Sequence, residues 1–206
     1  MMIKETKTLC PICKAILDAT IEEEGGSIWL VRSCPEHGHF RDLYWSDAAL
    51  WHKFEQFDSV GRGVENPNVV NPGGSCPENC GLCSFHKSGT LLANIDLTNR
   101  CNLDCDFCFA NARACGFTYE PSFDEIIKMM QMVRAEKPVP APAVQFSGGE
   151  PTMRDDLMEL IRKAKEIGFP QVQLATNGIK MAQDVGYVED LKSAGLSTVY
   201  LHFDGV

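Results

Sequence analysis

From residue 90 onward, the apolar positions switch between two periods. Leu91 to Thr98, Ala143 to Ser147, Gln171 to Thr176 and Thr198 to Phe203 are short apolar or alternating runs, the pattern of strands. Val199, Leu201 and Phe203 alternate most clearly. Between these runs the apolar residues return every three or four positions. Ser122-Phe-Asp-Glu125 is a capping box ahead of Ile126, Ile127, Met130 and Val133 on one helical face. Pro138, Pro140 and Pro142 end that helix. Thr152-Met-Arg-Asp155 opens a second helix, with Leu157, Leu160, Ile161, Ala164 and Ile167 inward and Gly168 as its stop. A third carries Val185, Val188 and Leu191 and ends at Gly195. Four strand–helix repeats in succession predict an α/β fold, a parallel sheet with helices outside. Ligands of such sheets gather at the carboxyl ends of the strands.

The first part of the chain has a different grain. Gly25-Gly26 predicts a hairpin turn, followed by a short strand over 28–31. Cys10-Pro-Ile-Cys13 and Cys34-Pro-Glu-His37 bracket that hairpin, with the C-x2-C…C-x2-H spacing of a zinc ribbon or a rubredoxin-like knuckle. The expected domains are therefore a metal domain over 1–57, a linker over 58–89 and an α/β core over 90–206. A unit as small as the first buries little core. A structural zinc, on the order of 10 kcal/mol, would supply much of its stability. Cys10, Cys13, Cys34 and His37 are the expected ligands, of zinc or iron. Trp29, Trp45 and Trp51 are expected to pack this domain, and His39 and His52 are given no role.

Composition narrows the function. The 206 residues carry a net charge of −9, which disfavours nucleic acid as a partner because phosphate binding needs clustered Lys and Arg. No apolar run reaches the length of a membrane span, and the opening MMIKETKTLC has no apolar export segment. The expected location is the cytoplasm, peripheral to the membrane if the substrate is a lipid. Ten cysteines are many for this length. In a reducing compartment their close grouping reads as metal binding rather than disulfides.

Six of them form two triplets with the same C-x3-C-x2-C spacing: Cys76, Cys80, Cys83 and Cys101, Cys105, Cys108. Three thiolates so close can hold an iron–sulfur cluster. A four-iron cubane so held keeps one iron open for a small molecule. The Cys101 set follows a strand, which gives a reaction centre a rigid shelf. The Cys76 set follows a connector rich in Gly, Pro and Asn. It is read as an auxiliary cluster, with His86 or a distant residue as fourth ligand and structural zinc as the alternative. Cys115 is expected to be a buried thiol.

Three motifs in order, each after its own strand, carry a family resemblance. They are Cys101-x3-Cys105-x-Phe107-Cys108, Gly148-Gly149-Glu150-Pro151 and Thr176-Asn177-Gly178. Together they resemble the radical S-adenosylmethionine (SAM) superfamily. The resemblance implies a partial (β/α)6 barrel in which Cys101, Cys105 and Cys108 hold a [4Fe-4S] cluster and the open iron chelates the amino and carboxylate groups of SAM. Reductive cleavage then yields a 5′-deoxyadenosyl radical that removes hydrogen from a substrate. Phe107 is the aromatic residue that the superfamily has before the last cysteine. Gly148 and Gly149 would let the backbone approach SAM, Glu150 would face its ammonium, and Pro151 closes the turn. Thr176 and Asn177 would contact the ribose or carboxylate, and Asp204, with His202, the ribose.

The CPxC…CPEHG, CPxxCGLC and DLTNRCNLxC elements also look similar to archaeal tetraether lipid synthases and methanopterin-linked methyltransferases. That resemblance implies carbon–carbon bond formation on a lipid or other small, apolar substrate, and a ferredoxin- or flavodoxin-type reductant. The chain reaches Val206 just past its fourth strand, where the family barrel has six, so the expectation is a C-terminally incomplete core. The competing reading is a non-catalytic iron–sulfur electron carrier.

Overall fold

A computed structural model describes residues 1–67 and 86–203, apart from Phe107, Phe109, Asn111 and 113–115. The described residues fall into two compact units, one over 1–60 and one over 61–67 with 86–203. Cys76, Cys80, Cys83, Phe107, Cys115 and Asp204 lie outside the described residues.

The first unit is an antiparallel meander of β1 (Met2–Leu9), β2 (Ile16–Glu24), β3 (Ser27–Cys34) and β4 (Gly38–Trp45), followed by helix α1 (Ala48–Glu55). In β2, Leu17, Ala19 and Ile21 are buried while Ile16 and Asp18 are exposed, the period of a half-buried strand. Gly25 and Gly26 both have positive φ, 62° and 77°. Two such residues suit the two-residue hairpin turn predicted there. Asp47 caps α1 by accepting the Leu50 amide at 2.9 Å. Ile21, Ile28, Ala48 and Trp51 make one small core, and Cys10, Leu17 and Cys34 make another with Phe40 against it.

Of the three tryptophans, Trp51 is buried as expected. Trp45 is 38% exposed, and Trp29 lies under the Arg41 guanidinium at 4.1 Å. His52 pairs with Glu23 at 3.0 Å. Strands β1 and β4 and helix α1 were not expected from the sequence. β1 is MIKETKTL, with no fully buried position, so it lacks an apolar face to betray it.

The second unit is a four-stranded parallel sheet, ordered β5 (Leu92–Thr98), β6 (Ala143–Gly148), β7 (Gln171–Thr176), β8 (Thr198–Leu201). Helices α2 (Phe123–Arg134), α3 (Leu157–Ile167), α4 (Ile179–Gln183) and α5 (Val185–Ala194) make the connections. Ile95, Leu97, Val144, Phe146, Val172 and Leu174 on one face of the sheet share a core with Ile126, Met130, Leu157, Leu160, Ile161 and Leu191 of the helices. The capping box forms, with Ser122 and Glu125 bonding each other's backbone amides. Gly168 and Gly195 end α3 and α5 in left-handed conformations, φ 102° and 107°.

Two expectations change. Residues 151–153 form a single 3-10 turn rather than the start of α3, because the Glu150 side chain caps Thr152 and Arg154 is extended. The helix begins at Leu157 instead. The strand expected over 198–203 ends at Leu201, and Val199, Leu201 and Phe203 are 36%, 59% and 75% exposed. Their strand pairs with β7 alone, at the edge of the sheet. Among the described residues, no helix is long and apolar enough to cross a membrane.

Candidate active site and metal centre

In the first unit, the turn after β1 and the turn after β3 bring four ligand atoms together. The thiols of Cys10, Cys13 and Cys34 and a ring nitrogen of His37 all lie within 4.8 Å of one another. Cys13 Sγ and Cys34 Sγ are 3.8 Å apart, Cys34 Sγ and His37 Nδ1 3.5 Å, and Cys10 Sγ and His37 Nδ1 3.8 Å. A tetrahedral zinc with bonds of ~2.3 Å to sulfur and ~2.0 Å to nitrogen spaces its ligands by ~3.5–3.8 Å. The four residues therefore fit such an ion. Burial pushes the Cys10 thiol up, but the amides of Cys13 and Ile12 and the Cys13 and Cys34 thiols outweigh it, bringing it down to about 6. A thiolate so stabilised is ready for a metal.

In the second unit, three loops meet at the carboxyl ends of the strands. β5 leads into the cysteine loop, β6 into Gly149-Glu150-Pro151 and β7 into Asn177-Gly178. Backbone bonds stitch the first two together: Gly149 donates to the Thr98 carbonyl at 2.7 Å and Glu150 to Arg100 at 2.8 Å. A Cβ on Gly148 would strike the Thr98 carbonyl, and one on Gly149 the Arg100 carbonyl. Contact with the cysteine loop therefore demands glycine at both positions, whether or not a cofactor does as well.

Glu150 is the centre of this junction and is 1% exposed. One carboxylate oxygen accepts from the Thr152 amide (3.1 Å), the Thr152 hydroxyl (2.6 Å) and the Thr176 hydroxyl (2.7 Å). The other accepts from the Asn177 amide at 2.8 Å. The structure thus spends Thr176, which is 3% exposed, on an internal brace. Asn177 Nδ2 donates to Asn102 Oδ1 at 2.7 Å, which ties the Thr-Asn-Gly turn to the cysteine loop. All four donors to Glu150 are neutral, and no ion pair answers its charge among the described residues. A buried carboxylate in that state fits an ammonium such as that of SAM.

The cysteine loop is closed at its base. Asn99 donates to the Tyr119 carbonyl at 3.1 Å, and Tyr119 returns a bond to Asn99 Oδ1 at 2.8 Å. Glu120 accepts from the Thr98 hydroxyl and from Arg100 Nε, both at 2.6 Å. Arg154, 8% exposed, donates to the carbonyls of Leu97 (3.0 Å) and Pro121 (2.7 Å) and to both oxygens of Asp156. Above this base, Cys101 is half-buried, Cys105 and Cys108 are exposed, and the Leu103 amide points at Cys101 Sγ at 3.4 Å. Three thiols on one short loop, with two of them open to solvent, leave room for a cluster larger than a single ion. A cavity of about 440 Å³, lined in part by Asn99, Arg100, Phe117 and Met153, reaches Cys101. The arrangement fits a cluster.

Comparison with known proteins agrees with this geometry. The radical SAM superfamily matches residues 95–206, more than half of the chain. The chain belongs to that superfamily. Membership implies a [4Fe-4S] cluster and SAM as cofactors, and the fold is a partial radical SAM core behind a ribbon. Residues 2–46 match the HMPTM N-terminal zinc ribbon domain. A 7,8-dihydro-6-hydroxymethylpterin dimethyltransferase from Methanocaldococcus jannaschii is 55% identical over 206 residues, all of this chain and 40% of that protein. An Fe-coproporphyrin III synthase from Methanosarcina barkeri is 36% identical over 125 residues, 61% of this chain and 30% of that protein. A protein named as a probable GTP 3′,8-cyclase from Methanothermobacter thermautotrophicus is 29% identical over 119 residues, 58% of this chain and 37% of its own. The chain thus spans two fifths or less of the length of these relatives.

Sequence reading missed three things here. Glu150 and Thr176 face each other rather than the solvent, which residue type alone does not reveal. Arg154 and Glu120 clamp the base of the cysteine loop, with no motif to advertise them. The strands also have a polar second face, with Asn94, Asp96, Gln145 and Gln173 on it.

Proposed function

We propose that this chain serves a radical SAM enzyme that transfers methyl groups to a pterin. The convergence of the cysteine loop, the Gly-Gly-Glu-Pro turn and the Thr-Asn-Gly turn at one end of one sheet carries the first half of that reading. The relative that is 55% identical along the whole chain supplies the second. The name of that relative favours a pterin over the lipid that the sequence suggested. Cys101, Cys105 and Cys108 would hold the cluster, and Glu150 with the carbonyls of its turn would receive the ammonium of SAM. Asn177, already anchored to Asn102, would sit beside them. The chemistry a bound cluster supplies is one electron for cleavage of SAM, drawn from a ferredoxin- or flavodoxin-type reductant. Gly148 and Gly149 keep the turn in backbone contact with the loop, and Arg154 and Glu120 hold the loop's two ends. By their sequence spacing, Cys76, Cys80 and Cys83 would hold a second cluster, and Asp204 would lie near the ribose. Cys10, Cys13, Cys34 and His37 would hold a structural zinc.

The test is anaerobic incubation of the reconstituted chain with SAM and dithionite. Methionine and 5′-deoxyadenosine should form with the natural chain and fall to background with Cys105→Ala. Equal amounts from both would overturn the assignment.

A further inference from the structure

Along β5, β6 and β7 the buried positions alternate with polar ones. Asn94 and Asp96 are exposed on β5, and Gln145, Ser147 and Gln173 are half-buried on β6 and β7. Successive strand residues point to opposite faces, so these polar residues occupy the face away from the helices. Register lines them up. Asn94 pairs with Gln145, Gln145 with Gln173 and Gln173 with Thr198, while Asp96 pairs with Ser147. A parallel sheet covered by helices on both sides is apolar on both. This one is not. Thr198 accepts a bond from Gln171 at 3.2 Å. The side chains of Asn94, Asp96, Gln145 and Gln173 make no hydrogen bond among the described residues.

The row is continuous with the cofactor end of the sheet. At ~3.3 Å per residue, Asp96 lies about 7 Å along β5 from Thr98, where the cysteine loop begins. Gln145 and Ser147 lead into Gly148 in the same way. Amides both donate and accept, and a carboxylate accepts only. A single carboxylate flanked by amides suits a flat heterocycle that offers an N–H pair beside ring nitrogens and a carbonyl. A hydrocarbon chain would instead leave every one of these groups without a partner.

Resting on the radical SAM reading above, we infer that Asn94, Asp96, Gln145 and Gln173 form the substrate-recognition face and that it takes a hydrogen-bonding heterocycle of the pterin class. Asp96 receives the amino-pyrimidine edge of the ring. The amides align the remainder.

The experiment titrates 7,8-dihydro-6-hydroxymethylpterin into the reconstituted chain by fluorescence, beside Asp96→Asn and Gln145→Leu. A charged hydrogen bond lost should weaken binding at least about tenfold in Asp96→Asn, with a several-fold loss in Gln145→Leu. Both variants should keep the SAM-dependent paramagnetic signal of the cluster. That signal, read on the natural chain, tests the radical SAM reading separately from the pterin titration. If Asp96→Asn does not fold, Gln145→Leu carries the test. The inference is overturned if the natural chain does not take up the pterin, if the variants bind it as tightly, or if vesicles of isoprenoid lipid displace it.

Discussion

The two units place their candidate metal ligands in opposite ways. The ribbon gathers Cys10, Cys13, Cys34 and His37 within 4.8 Å around cores of a few residues each. The α/β unit packs sixteen buried apolar residues first, and leaves Cys105 and Cys108 exposed at the strand ends. In the ribbon a metal would hold the fold. In the α/β unit the fold comes first and would hold the cluster's site, through Glu150, Arg154 and Glu120. A structural centre is closed and a catalytic one open; here two ribbon cysteines, Cys10 and Cys34, are buried, Cys13 is exposed, and none of Cys101, Cys105 and Cys108 is buried.

Removing the ribbon metal should have the largest effect. Chelation or Cys34→Ser should cost the first unit on the order of 10 kcal/mol and unfold it. In a thermal melt, the transition of the α/β unit should persist. Loss of both transitions together would break the comparison.

Glu150→Gln should cost less, about 1–3 kcal/mol, because an amide cannot accept from all four donors and one buried donor would be left facing another. The loss should appear in the melt of the α/β unit and leave the ribbon's zinc content unchanged.

The smallest effect concerns pH. The Arg154 hydrogen bonds hold the Asp156 carboxyl below its usual range, despite burial that raises it. A carboxyl depressed in the folded state contributes stability above its unfolded pKa and loses it as pH falls through the folded one. The α/β unit should therefore weaken below the ordinary carboxylate range. Asp156→Asn should flatten that slope, as chemical denaturation at several pH values would show.

Much of this was legible in the sequence, for physical reasons. Strands β5 to β7 and helices α2 and α3 announce themselves because one face of each is apolar at its own period. Gly25-Gly26 and Gly168 mark turns that need positive φ. Strand β1 stayed hidden because Lys4, Glu5 and Lys7 interrupt any apolar face, and β4 because its apolar residues Leu43, Tyr44 and Trp45 run together instead of alternating. The ribbon ligands were readable from spacing because a small ion constrains its ligands within a few residues. The brace around Glu150 was not, since Thr152, Thr176 and Asn177 reach it only through the fold. The polar row on β5 to β7 had a signal, Asn94 and Asp96 alternating with Ile95 and Leu97, that an eye set on apolar runs passes over.

The central claim is that Cys101, Cys105 and Cys108 hold a cluster with an open iron. Electron paramagnetic resonance of the anaerobically reconstituted, dithionite-reduced chain, with and without SAM, tests it most directly. The account predicts a cluster signal that SAM shifts and that Cys105→Ala abolishes. A signal indifferent to both SAM and the substitution would contradict it, and would leave an electron carrier in place of an enzyme.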